Sequence, residues 1–199
     1  MTITIAKWTL AEYHQLVATG ILSDAPREKV PQRRVELLEG LIVDMEPEGM
    51  PHAVHCSESV EYLRTLLKDR AEVREGHPIT LSNNSEPKPD ITIIRSPNSQ
   101  YLNHHPYPAD IFWPIEYADT TLHKDVNEKK RVYAEAGIQE YWVVNLQIPE
   151  LIVFRDLANP QGGCSVTDTY RSETKLATGN ISPLSFPDLH IEVGKLLAI

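Results

Sequence analysis

The stretch "IEYADTTLHKDVNEKKRVYAEAG", residues 115–137, decides how the chain is read. It passes from an apolar strand that ends on an acid, through a short polar turn, into a helix that opens on charges. Asp125 followed by Glu128 is a capping-box pattern, and Gly137 is a C-terminal stop, so the spacing predicts a helix over 126–136. At about 100° per residue, Val126, Val132, Tyr133 and Ala136 share one side, while Asn127, Glu128, Arg131 and Glu135 share the other. Lys129 falls near the centre of the apolar side. A lysine that faces a core needs an anionic partner, because burying an unpaired ammonium costs several kcal/mol. The nearest preceding acid, at the end of the strand that this helix would cover, is Glu116. The competing reading is snorkelling, with the stem packed and the amine in water.

Working outward, "SEPKPDITIIR" (85–95) places Asp90 at the start of a nearly continuous apolar run, directly behind a proline-bearing segment that cannot extend a ladder. "IFWPIEYA" (111–118) places Glu116 near the end of the next strand. If the two form an antiparallel hairpin over the loop 96–110, the start of one lies beside the end of the other, about 4.8 Å away. Two adjacent carboxylates repel, and a divalent cation is the usual remedy; Mg²⁺ takes about six oxygens and keeps several waters. Taken alone, Asp90 could merely cap a turn and Glu116 could sit in solvent. With Lys129 added, the set becomes two metal-binding acids and a lysine, able to activate water and offset the charge that develops in phosphodiester cleavage.

Other candidates carry less. Glu36, in the strand "VELLEG", could point into the same site, although acids on strands more often face solvent. His52 and His55 differ by three on one helical turn, an acceptable metal spacing, but no third ligand nearby supports zinc. His104 and His105 read as loop residues. No glycine-rich phosphate loop and no G-x-S-x-G nucleophile elbow occurs.

The remaining pattern is that of a soluble α/β chain. A helix over 10–18 is capped by Thr9 and stopped by Gly20, and a polar connection follows over 21–33. Two short strands flank Glu39-Gly40, and a helix is expected from His52 to Asp69. Strands follow in "EVREGHPITL", "DITIIR", "DIFWPIEYA", "EYWVVNL", "LIVFRD" and "SVTDTYRS". The order implies a mixed sheet with helices packed on it, and the length of 199 residues suits one domain. The composition is 41% apolar and 24% charged, and no run approaches the roughly 18 apolar residues of a membrane span. The N-terminus lacks the features of a signal peptide, so a cytoplasmic location is the expectation. Cys56 and Cys164 are too few for a disulfide framework or a cysteine zinc site, and two reduced thiols are expected. A net charge of −9 argues against non-specific attraction to nucleic acid or anionic membrane. It does not exclude a nuclease, because acids gathered around a metal also lower the net charge.

These residues resemble the Uma-type restriction endonuclease family, whose fold is similar to that of the PD-(D/E)XK nucleases. The resemblance runs almost end to end, through "KWTLAEYHQLVATGIL", "RVELLEG", the M-x-P-x-G-x-x-H run from Met45 to His52, "SEPKPDITIIR", residues 115–145 and "LSFPDLHIEV". It implies a restriction-endonuclease-like α/β core, a Mg²⁺-dependent site in which Mn²⁺ could substitute, DNA as substrate, and a homodimer. On that basis 1–33 is an N-terminal helical extension, 34–146 the nuclease-like core and 147–199 a C-terminal β meander. Asp90 looks like the acid of the PD element, Glu116 like the second acid, and Glu36 like an additional acid. The motif's lysine would stand two residues after Glu116, where this chain has Ala118; in the family it sits on the following helix, here at Lys129. His52 matches a histidine common in the family, whereas His77 stands near a place where glutamine is common. A catalytically inactive or regulatory dimeric nucleic-acid-binding protein that keeps the site as a salt-bridged network is the alternative, and another phosphate-bearing substrate is a third, since fold alone does not fix function.

Overall fold

Thr9 opens the first helix, α1 (Leu10–Thr19), with a complete capping box to Glu12, and Gly20 closes it in the left-handed conformation. The structure, a computed structural model, describes residues 4–22, 34–158 and 169–197. Most of the connection expected over 21–33, Cys164 and the first residues of the last expected long strand lie outside the described residues.

The hairpin of β1 (Val35–Leu38) and β2 (Leu41–Asp44) turns at Glu39-Gly40, both at positive φ. Gly40 is required there, since a Cβ would meet Lys7 Cβ and the Trp8 carbonyl oxygen at 2.9 Å. Helix α2 (Met50–Leu67) begins two residues before the expected His52 because Pro51 fits the first turn, and it stops two residues before Asp69.

Six strands form the central sheet: β3 (Glu72–Glu75), β4 (Ile91–Ile94), β5 (Ile111–Ala118), β6 (Tyr141–Asn145), β7 (Glu150–Leu157) and β8 (Tyr170–Leu176), hydrogen-bonded in that order. Only Glu72–Glu75 of the long candidate "EVREGHPITL" is a strand. The expected hairpin is present, with β4 antiparallel to β5 and Ile91 opposite Ile115. Strands β5 and β6 are parallel, so the chain must cross over between them, and the helical segment 122–135 is that crossover. The strands expected in the C-terminal meander extend this same sheet as β7 and β8, followed by a small β9 (Asn180–Ile181) and β10 (Ile191–Glu192) pair and helix α5 (Val193–Leu197).

Alternation along the strands sorts side chains into two layers. Trp113, Ile115 and Tyr117 of β5 face a core shared with Val60, Leu63 and Leu67 of α2 and with α5. Ala118, together with Tyr141, Val143, Ile152 and Phe154, faces Val132 and Tyr133 of the crossover helix. Glu116 lies between Ile115 and Tyr117 in sequence, so it points to the crossover-helix side.

The crossover helix differs from expectation at its start. It begins at α3 (Leu122–Lys124), passes through a π-helical turn (Asp125–Lys129) and continues as α4 (Lys130–Glu135). Asp125 is therefore not the cap of a helix starting at Val126; it lies inside the wide turn, buried. The stop at Gly137 stands, with φ 83°.

Candidate active site

Continuing the β4–β5 register one step beyond Ile91↔Ile115 sets Asp90 opposite Glu116. Asp90 is tied to the same strand end, because the Tyr117 backbone N–H donates to its Oδ2 at 2.7 Å. The helix layer delivers Lys129 from above the sheet. Its Nζ lies 2.8 Å from Glu116 Oε1, 3.6 Å from Glu36 Oε2 and 3.9 Å from Asp125 Oδ1. Lys129 is 4% exposed, so the amine does not snorkel into water. Glu36 arrives from β1, and its Oε2 also accepts the Lys88 backbone N–H at 3.3 Å. The structure thus brings Asp90, Glu116, Lys129 and Glu36 to the wall of one small well.

Four further side chains complete the arrangement. Tyr133, one turn beyond Lys129, donates its hydroxyl to Glu116 Oε1 at 2.7 Å. Asp125 accepts the Thr121 hydroxyl at 2.5 Å. Lys124 places Nζ 2.7 Å from Glu36 Oε1. His52 spans two acids, with Nδ1 3.1 Å from Glu48 Oε1 and Nε2 3.1 Å from Asp90 Oδ2. Both ring nitrogens face carboxylate oxygens, which requires both to carry protons.

The electrostatics follow from burial and neighbours. Burial pushes the Glu116 carboxyl up, to about 8, against the pull of Lys129. Burial works the other way on Lys129, but Glu116, Glu36 and Asp125 outweigh it and hold the amine protonated well above the usual lysine range. Two donors on one oxygen, the Lys129 ammonium and the Tyr133 hydroxyl, pull Glu116 back toward the carboxylate without cancelling the effect of burial. Burial also raises Glu36, yet Lys129 and Lys124 bring it below the ordinary value. Asp125 is raised chiefly by burial. Burial lowers His52, and the hydrogen bond and charge of Asp90 more than restore it, leaving the imidazolium favoured.

Among the described residues, no group of three or more His, Cys, Asp or Glu side chains is arranged to hold a metal ion. His52 lies between Glu48 and Asp90, and His77, exposed beyond β3, does not line the well. Among described donors, the hydrogen bonds of Asp90 and Glu116 fall on Oδ2 and Oε1, which leaves Asp90 Oδ1 and Glu116 Oε2 open. Two open carboxylate oxygens fit a cation that takes one or two carboxylates and keeps most of its waters, as Mg²⁺ does.

Reading the sequence missed Asp125, Tyr133, Lys124 and Thr121. Asp125 could have been found from its i, i+4 spacing to Lys129, and Lys124 from its place one residue ahead of it. Tyr133 carries no such signal, since in the apolar stripe it reads as core.

The fold is a mixed six-stranded sheet with helices packed on it. A "putative nuclease belonging to DUF820" from Anabaena variabilis ATCC 29413 has this fold, with a TM-score of 0.68 at 18% identity over 96% of this chain and 97% of that one. The chain belongs to the Uma2 family, described as "Putative restriction endonuclease", whose model matches residues 10–194. A comparison with curated proteins gave no match. Among the described residues, no helix is long and apolar enough to cross a membrane.

Proposed function

We propose that the chain is a Mg²⁺-dependent endonuclease that hydrolyses phosphodiester bonds of DNA. The observation that carries the reading is the Lys129–Glu116 contact of 2.8 Å at the strand end that Asp90 also occupies. Asp90 and Glu116 would hold the metal through their open oxygens. When bound, the ion would acidify a water and neutralise charge on the phosphate. Glu36 and Asp125 keep Lys129 protonated, and Lys129 with Tyr133 fixes the carboxylate of Glu116 in one orientation. The ammonium lies where it can position a water or offset charge on the attacked phosphate. His52 holds Asp90 from the opposite side.

The test is nicking of supercoiled plasmid by the purified protein with Mg²⁺ or Mn²⁺. Wild type should nick, EDTA should stop it, and Asp90→Ala should be inactive. Equal nicking by wild type and Asp90→Ala would remove the reading.

A second reading is favoured by one specific observation: Lys129 already satisfies three buried carboxylates, and no three-ligand metal group stands beside it. In that reading the network is structural, and the protein binds nucleic acid or another partner without cleaving it. Calorimetry separates the two, since a structural network takes up no Mn²⁺.

A further inference from the structure

The well presents a difficulty to any phosphodiester. Glu36, Asp90, Glu116 and Asp125 surround it, and Lys129 is shared among three of them. Lys124 is placed differently. Its side chain is 26% exposed, and its amine stands 2.7 Å from Glu36 Oε1. That contact commits one of the ammonium's three donors and leaves two for a ligand.

Lys124 also lines a second opening, a cleft of about 370 Å³ between the β1–β2 hairpin and the crossover helix. Leu38, Leu41 and Val43 of the hairpin form one wall of the cleft, and Glu128 and Arg131 lie on the other, with Arg131 held by Glu39. Lys124 is common to the linings of the well and the cleft. We propose that this cleft is the track by which nucleic acid leaves the acid well, with Lys124 as the phosphate-positioning residue at the junction and Arg131 as a second cation further along. This rests on the nuclease reading and specifies how its substrate lies. On binding, the Lys124 amine turns from Glu36 to a phosphate oxygen, and Glu36 stays neutralised by Lys129. The apolar wall receives sugar and base faces, which need no hydrogen bonds.

The experiment measures binding of a short fluorescein-labelled DNA duplex to the full chain across a range of salt concentrations, together with KM and kcat for its cleavage. Lys124→Gln should weaken binding on the order of tenfold and reduce the slope of log K against log salt by about one, the value for one lost phosphate contact. KM should rise more than kcat falls, and Lys124→Arg should recover most of the affinity. Lys175→Gln, on the far edge strand β8, should leave slope and affinity unchanged. A merely structural Lys124 would shift the thermal midpoint without changing the salt slope. Wild-type cleavage with an unchanged slope in Lys124→Gln would overturn the track alone, whereas a wild type that neither binds nor cleaves would overturn the nuclease reading with it.

Discussion

Lys129 and Glu116 meet at 2.8 Å across the boundary between a helix and a strand, and neither is exposed to water. The contact joins the two elements that the crossover connection brings together, so it bears on stability as well as chemistry. Removing the amine leaves Glu116, Glu36 and Asp125 buried with their main counter-charge gone. Breaking a buried ion pair from one side costs about 3–5 kcal/mol. Lys129→Met is therefore expected to lower the thermal midpoint by roughly 10 °C, read by circular dichroism. A midpoint unchanged from wild type would mean that the carboxylates are already neutral.

Alkaline titration probes the layer beneath the site. Burial raises the hydroxyls of Tyr141 and Tyr170 well above the ordinary tyrosine value, and each donates to a backbone carbonyl, Tyr141 to Asp125 and Tyr170 to Ile138. The folded state keeps its protons where the unfolded state loses them. The stability these groups contribute is therefore present below about pH 10 and is lost as the pH rises beyond it, by about 1.4 kcal/mol per unit for each group. Absorbance at the tyrosinate band should show both ionising only with unfolding, as one cooperative step. Gradual ionisation in a still-folded protein would contradict this.

Cys56 gives a third check. Burial raises its thiol strongly, and nearby Asp90 adds to the effect. The thiolate is the reactive form, so the native thiol is expected to be inert. In a Cys164→Ala background, a disulfide reagent should titrate no thiol in buffer and one in denaturant. Prompt reaction in buffer would show that α2 opens readily from the sheet.

Much of this was legible in the sequence because the deciding signals were local. The apolar run 111–118 carried Glu116 to a strand end, Gly137 marked the helix end, and the wheel put Lys129 inward. The helix start was not legible: Asp125 and Glu128 carry the same residue types as a capping box, and only tertiary packing around Thr121 and Tyr141 draws Asp125 into a π-helical turn instead. His52 was visible as a candidate, but its contact with Asp90 links α2 to the residue before β4, and no spacing rule reaches that far. The pairing of Lys124 with Glu36 was not legible because Glu36 lies on a hairpin far away in sequence.

In the proposed function, Lys129 of the crossover helix stands in for the lysine missing after Glu116, where Ala118 stands. The most direct test is the single-turnover rate of plasmid nicking in Mg²⁺ by Lys129→Ala, at a temperature where circular dichroism shows the variant folded. The rate is expected to fall by about 100-fold or more relative to wild type, the usual consequence of removing one charge-stabilising group. A folded Lys129→Ala that nicks at the wild-type rate would contradict this role.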